Sequence, residues 1–319
     1  MMIVSSSNQL VSVVVPMYNV APYVADAIES ILDQTYPDVE IVIVDDGSED
    51  SSLDEAKRAL SACAKARWRS VRQENAGVSS ARNRGAREAK GEWILFLDPD
   101  DVLAPETIEL LVRGATKSGA EVAISDFAMI DGISIPYRRR LNESFAVMTK
   151  DEALRCHLLR ARNMVAPATM VSSRLASEVP FREGCRYGED VMWVWEVLSR
   201  TDGIVYLESP GYGYRLRPGS TITAPDSGRI ETGASTFLLL DGLLADYLGD
   251  ASWAASRWML GVMHVLARYG SREQFGWFYS TFYRSRIRSL LTFPQVRVRM
   301  LAAFSMLGSV PLRAVLGRL

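Results

Sequence analysis

The stretch "VSVVVPMYNVAPYVADAIESILDQTYPDVEIVIVDDGS" (residues 11–48) decides the fold. Its two apolar runs, 11–15 and 39–44, are rich in Val and Ile and of strand length, the pattern of strands buried on both faces. Between them Tyr23, Val24, Ala27, Ile28, Ile31 and Leu32 recur at spacings of three and four, which predicts an amphipathic helix. Strand, helix and strand in this order predict a parallel pair joined by a crossover.

The same alternation continues outward. A second helix is predicted from about Ser52 to Ala64, a weaker strand near Ser70, and a helix from Val78 to Ala89. A strand follows at 93–97, a helix starting at Pro105, and a strand at 121–125. This β-α-β-α order predicts an α/β fold, a mostly parallel sheet flanked by helices, with ligands bound beyond the carboxyl ends of the strands. Those ends carry Pro16, Tyr18 and Asn19, then Asp45 and Asp46, then Asp98 and Asp100 of "WILFLDPDDVLAPETIELL" (93–111), and all are expected to face one crevice. The bland alternatives are a solvated turn for Asp98–Asp101, and a D-G turn with a helix cap, through Gly47 and Ser48, for Asp45 and Asp46. "PMYNVAPY" after the first strand is not G-x-G-x-x-G, and no P-loop occurs, which weighs against a dehydrogenase and against a nucleotidyltransferase.

Beyond residue 125 the pattern breaks. "MIDGISIPYRRRL" reads as a hairpin or irregular crossing, and 149–160 as an amphipathic helix. "FREGCRYGEDVMWVWEVLSR" starts another helix at Glu189 and Asp190, and "GIVYLESPGYGYRLRPGSTIT" reads as strand, turn and polar loop. From about Ile230 the pattern is mainly helical. His157 and His264 are expected to be structural or surface residues, and Trp193 and Trp195 core residues in part, with one free to stack on a sugar.

Composition is that of a globular chain: 319 residues, 48% hydrophobic, 23% charged. Cys63, Cys156 and Cys185 are too few and scattered for a disulfide framework and include no C-x-x-C pair, so a reducing cytoplasm is expected. The apolar start lacks the basic n-region of a signal peptide. Charge is uneven: from Ala251 on there are ten arginines, no lysine and one acidic residue, a net of +9 that leaves −11 on residues 1–250. Such a tail points to an anionic surface, lipid or nucleic acid, or else to a solvated basic face. No recognition motif accompanies the arginines, so nucleic acid is not expected. The uncharged run Met300–Leu312 is shorter than the about 18 residues a span needs, and an interfacial arginine-rich helix fits it better. A packed helical cover and a dimer contact are the alternatives.

Five segments, "VSVVVPMYN", "SILDQTYPDVEIVIVDDGSEDSS", "NAGVSSARNRGAREAKGEWILFLDPDD", "FREGCRYGED" and "YGYRLRPGSTI", stand in an order that resembles the family 2 glycosyltransferases, inverting enzymes with a GT-A fold. The last two look most like the bacterial branch that builds capsule, exopolysaccharide or lipopolysaccharide. The resemblance implies a GT-A catalytic domain over 1–225, with a donor half at about 11–125 and an acceptor half at about 126–225, and a basic, mainly helical region over 226–319. It implies transfer of a sugar from a nucleotide-sugar to a saccharide hydroxyl, with Mn²⁺ or Mg²⁺ as cofactor. Asp100 would contact the metal, and Asp98 the ribose or a metal-bound water; Asp101 would cap the turn or the next helix. Pro16, Tyr18 and Asp46 would line the base pocket, where a carboxylate can accept the imide N–H of uracil, which favours UDP, and Asn19 and Asp45 would belong to the same nucleotide site. Asn75, Gly77 and Arg82 would adjoin the donor, and Tyr214, Arg215, Arg217 and Ser220 would close over its diphosphate. Asp190 would be the base and Glu189 would orient the acceptor; the bland alternative is a carboxylate pair at a helix start. The acceptor would be a saccharide, carried on a polyprenyl lipid at the inner face of the membrane. "NMVAPATMVSS" lacks the lysine usual in relatives ahead of the acceptor region, and no histidine ligand follows Arg217. The rival reading is a catalytically silent nucleotide-binding scaffold of a glycan-assembly complex.

Overall fold

The computed structural model describes residues 9–131, 137–185, 187–217, 226, 228, 230–234, 236, 238–239 and 253–317. By its internal contacts the chain divides into two compact units. One runs to Gly184 and takes in Trp193–Leu216; the other holds Cys185–Met192 and the chain from Arg217 on.

The first unit opens with the alternation predicted from sequence: β1 (Val11–Met17), α1 (Val24–Leu32), β2 (Val39–Asp45), α2 (Ser52–Ser61), β3 (Arg67–Arg72), α3 (Val78–Glu88) and β4 (Trp93–Phe96). β1 pairs in parallel with both β2 and β4, and β2 with β3. Every residue of β1 is buried, as a central strand covered on both faces requires. β3, "RWRSVR", is the edge, and its charged side chains suit it to that place. Glu40 beneath it is buried, accepts hydrogen bonds from Ser12 Oγ and Lys90 N, and pairs with Arg69.

After β4 come β5 (Val102–Leu103), α4 (Thr107–Ser118), β6 (Val122–Asp131), β7 (Phe145–Thr149), α5 (Lys150–Leu158), β8 (Thr169–Ser172), α6 (Ser173–Glu178), α7 (Glu189–Arg200) and β9 (Gly203–Leu216). The nine strands form one sheet in the order β3-β2-β1-β4-β8-β6-β9-β5, with β7 also on β9. β8 enters antiparallel to β4 and β6, β6 runs parallel to β9, and β5 and β7 are antiparallel to β9.

Three strands escape the periodicity reading because they are short or sit in apolar text without alternation. β5 has two residues, β7 begins after an irregular segment, and β8 lies within "NMVAPATMVSS". That last segment is core, with Met164, Ala166, Ala168 and Met170 all buried. The turn expected inside "GIVYLESPGYGYRL" is instead a register shift within one fourteen-residue strand. Side chains satisfy the backbone it displaces: Ser125 Oγ accepts from Gly211 N (3.0 Å), Thr107 Oγ1 donates to Gly211 O (2.9 Å), and Ser209 Oγ accepts from Asn142 N (2.9 Å). α4 starts two residues later than expected, at Thr107. Trp193 and Trp195 are both core: Trp193 stacks on Phe181 with centroids 4.6 Å apart and donates to Val179 O, and Trp195 lies beside the buried His157.

In the second unit the described helices include Trp253–Tyr269, Arg272–Phe278, Val296–Ser305 and Ser309–Leu316, with a π turn and a 3₁₀ stretch over Tyr279–Thr292. Its core gathers Met263, Leu266, Phe275, Phe278, Tyr283 and Phe293.

α3 packs so closely over the sheet that a Cβ on Gly85 would lie 2.2 Å from Val14 Cγ1. Gly85→Ala is therefore expected to destabilise the fold by about 1–3 kcal/mol through overpacking, read as a lower urea midpoint at unchanged m-value.

Candidate functional site

The chain reverses its direction across the sheet at β1: β2 and β3 lie on one side of it and β4 on the other. Such a switch point opens a crevice at the carboxyl ends, and the loops that leave β1, β2, β3 and β4 surround it. Pro16 lies within β1, and Tyr18, just past its end, is 46% exposed. Asn19 adopts the left-handed conformation (φ 48°), which Asn tolerates. Its N–H donates to Ser48 Oγ (3.1 Å) and its Oδ1 accepts from Glu49 N (2.9 Å), so the exits of β1 and β2 are tied together.

The two aspartates after β2 divide the work. Asp45 is fully buried; Oδ1 accepts from Ser48 N (2.9 Å) in an Asx-type turn, and Arg72 lies 3.5 Å from Oδ2. The structure thus gives Asp45 a turn to hold rather than a ligand to face. Asp46 accepts from Gln73 Nε2 (2.8 Å) and Ala76 N (2.9 Å) at Oδ1 and from Gly77 N (2.8 Å) at Oδ2. It closes the loop that carries the exposed Asn75 to the start of α3, and Gly77 (φ 91°) turns the chain into that helix. A carboxylate has about four acceptor positions, so three bonds leave one. The sequence marked Asp46 as a base-pocket residue; its grip on the 73–77 loop is a tertiary feature that no local pattern announces.

The turn Asp98-Pro99-Asp100-Asp101 joins β4 to β5 and is held from three directions. Leu97 N donates to Val14 O (3.0 Å), continuing the β1–β4 ladder to the edge of the turn. Arg82, from α3, donates to Asp98 Oδ1 (2.7 Å) while its guanidinium lies 5.1 Å over the Phe181 ring. With its side chain 3% exposed, Arg82 is committed to Asp98. Asn83 beside it exchanges two bonds with the Phe181 backbone, fixing the ring on which Arg82 rests.

The third direction is β9. Asp101 is 2% exposed; Oδ1 accepts from Arg215 N (2.7 Å) and Oδ2 from the Tyr212 hydroxyl. Burial pushes its carboxyl well above the usual range, with the nearby charges of Asp100 and Asp98 adding to the effect. Burial likewise raises the Tyr212 hydroxyl, followed by the charge of Asp101, which keeps it a donor. Arg215 donates from Nε to Asp100 O (2.8 Å) and from Nη2 to Asp26 Oδ2 (2.9 Å), with Tyr23 against its guanidinium. Its side chain is fully buried. Arg215 therefore braces the turn from behind, where the sequence expectation had it closing over a diphosphate. Asp101 anchors β9 and does not cap α4, whose N-cap position is Glu106.

Asp98 and Asp100 remain half-buried at the crevice while Asp101 turns inward. Among the described residues no three His, Cys, Asp or Glu side chains gather as a metal cage. Mg²⁺ and Mn²⁺ sites that also bind phosphate take only one or two protein carboxylates. Asp98 and Asp100, both half-buried at the crevice, make up a donor set of that size.

Glu189 and Asp190 form the first turn of α7, half-buried, and belong to the second unit, while the helix from Trp193 on belongs to the first. Tyr214 is half-buried with its ring 5.9 Å from Phe127. Arg217 is the last described residue of its segment, and Ser220 lies outside the described residues.

Residues 12–178 match the family described as Glycosyl transferase family 2. Glycosyltransferase GlyA of Streptococcus pneumoniae is 29% identical over 218 residues, 66% of this chain and 31% of GlyA, so the chain spans about a third of that relative's length. The solved structure of S. aureus TarS 1-349 in complex with UDP-GlcNAc superposes with a TM-score of 0.63 at 19% identity, over 97% of this chain and 90% of that one. The mannosyltransferase PcManGT of Pyrobaculum calidifontis, in complex with GDP-Man and Mn²⁺, gives 0.58 at 15% identity, over 98% and 84%. At these identities the two structures speak for a GT-A-like fold.

Asp46→Asn puts an amide N–H₂ where one of the loop's own donors must bond. It is expected to speed hydrogen exchange of Ala76 and Gly77 about tenfold or more, in line with the 1.5–3 kcal/mol typical of a bond to a charged group. Asp26→Ala removes the carboxylate that the buried Arg215 reaches through Nη2. The expected loss in urea-unfolding stability is about 2–3 kcal/mol, below the fully buried range because the Asp26 side chain retains 19% exposure.

Proposed function

The chain belongs to glycosyl transferase family 2, and from that premise we propose that it is a metal-dependent inverting glycosyltransferase that moves a sugar from a UDP-sugar to a saccharide hydroxyl. The observation that carries this reading is the convergence of the Asp46 loop and the Asp98–Asp101 turn at the switch point of a parallel sheet. The remaining acceptor position of Asp46 suits the imide N–H of uracil, with Pro16, Tyr18 and Asn19 at the same edge. Asn75 and Gly77, at the amino terminus of α3, would meet the donor's polar groups.

Asp98 and Asp100 would hold the divalent ion, which when bound neutralises charge on the departing diphosphate. Arg82 fixes the Asp98 carboxylate, and Arg215 and Tyr212 fix the backbone on which both aspartates ride. In the transfer, Asp190 takes the proton of the acceptor hydroxyl as its oxygen bonds to the anomeric carbon, and the sugar–diphosphate bond breaks with its electron pair leaving on the nucleoside diphosphate. Attack from the face opposite the leaving group inverts the anomeric centre. A carboxylate is a weak base, so the proton moves late in the step, as the new bond forms. Glu189 orients the acceptor. The product class proposed is bacterial surface polysaccharide, extended on a polyprenyl-linked acceptor at the inner face of the membrane.

A thermal-shift panel of UDP, GDP, CDP and dTDP, each with Mn²⁺ and with EDTA, tests the donor: a shift confined to UDP with Mn²⁺ is expected. A shift with GDP alone would replace the donor, and no shift with any nucleotide would favour the silent scaffold. Asp100→Asn is expected to abolish the Mn²⁺-dependent UDP shift. Asp190→Asn is expected to keep that shift and lower kcat at least about a hundredfold; near-normal turnover would remove Asp190 as base.

A further inference from the structure

The second unit carries a surface for which the transfer chemistry has no use. Residues 284–319 hold seven arginines and no acidic residue. The helix Val296–Ser305 is apolar on two opposite faces. Val298, Ala302 and Ser305 are buried on one. On the other, Val296, Met300 and Ala303 follow one another at spacings of four and three, with Val296 59% and Met300 68% exposed. Further along the chain, Leu307 is 69% exposed and Val310, in the first turn of the next helix, 80% exposed. Arg297 and Arg299 flank the strip on the helix Val296–Ser305 and are exposed. Exposed apolar side chains gathered beside charge mark a contact surface.

We propose that this strip lies on an anionic lipid bilayer, its apolar side chains entering the acyl boundary and its arginines meeting lipid phosphates. The apolar row argues for an interface with an interior to bury it, and the exposed Arg297 and Arg299, in a stretch that holds no acidic residue, argue that the interface is anionic. No helix among the described residues is long and apolar enough to cross a membrane, so the contact is peripheral. A second copy of the chain, docked by the same face, would set Arg297 and Arg299 near their own counterparts across a drying contact. Nucleic acid would meet the arginines but offers aliphatic methionine, leucine and valine nothing comparable to bury against, its single strands being bound by aromatic stacking. The inference uses the second unit alone and holds whatever the donor sugar proves to be.

The test is co-sedimentation of the full chain with vesicles of phosphatidylcholine alone and of phosphatidylcholine with phosphatidylglycerol. Binding is expected to the anionic vesicles and to weaken with salt. R297Q/R299Q should weaken it about fivefold per arginine, and M300S/L307S about tenfold or more. V310S, at the most exposed position, gives an independent reading of the apolar strip. Unchanged Tm in each variant separates lost contact from lost fold. The proposal is overturned if the parent binds anionic and neutral vesicles alike, or if the apolar variants bind like the parent. It is equally overturned by a concentration-dependent dimer in sedimentation velocity that M300S/L307S dissolves, or by tighter binding to an oligonucleotide at the same salt.

Discussion

One buried carboxylate sets the geometry on which the candidate site depends. Asp101 lies between the Tyr212 hydroxyl and the Arg215 backbone N–H, and so joins the turn after β4 to the far part of the sheet. Burying a carboxylate is costly unless its lone pairs are engaged, so the turn has one low-energy arrangement rather than many. Arg215 extends the same constraint to α1 through Asp26 and to the turn itself through Asp100 O. Asp98 and Asp100 are left at the crevice because their neighbour is not. A turn of adjacent acids would otherwise splay in solvent, since like charges repel and Pro99 alone does not fix a four-residue loop.

Asp46 applies the same logic on the other side of β1. Its carboxylate gathers two backbone N–H groups and a glutamine amide, and so fixes the entrance to α3. α3 in turn delivers Arg82 to Asp98. The β2 and β4 exits are therefore connected through one helix, with Gly85 letting that helix lie against β1. The arginines that resemblance marks for ligand contact are here, in two cases, side chains that hold aspartates in position: Arg82 holds a side chain and Arg215 a backbone. Positioning of this kind suits a site that must present two carboxylates at a fixed separation, because each would relax into water without a partner.

The second unit follows a different rule. Its helices bury aromatic and aliphatic side chains on one side, as a helical cover does, yet the helix Val296–Ser305 keeps a second apolar row facing outward beside Arg297 and Arg299. Residues 284–319 of this unit hold seven arginines and no acidic residue, in contrast to the first unit, where Arg113, Arg162 and Arg174 each pair with a glutamate.

The sequence by itself determined the parallel part of the sheet, β1 to β4. Val-rich runs buried on both faces, separated by three-and-four periodicity, have few other solutions, and strand-end aspartates then follow from topology. It also located the carboxylates that stay at the crevice, Asp98 and Asp100, because their place on the chain fixes their place at a strand end. Tertiary structure alone decided which polar residues face inward. Asp45 and Asp46 are adjacent, yet one holds a turn and the other a loop thirty residues away; Asp100 and Asp101 are adjacent, yet one stays at the crevice and the other is buried. Short strands such as β5 and β8 were equally beyond the sequence, since two to four residues carry too little periodicity to declare a strand, and only pairing partners far along the chain make them one. A carboxylate's role depends on the donors that reach it, and those come from β9 and α3, brought near by the sheet and not by the chain.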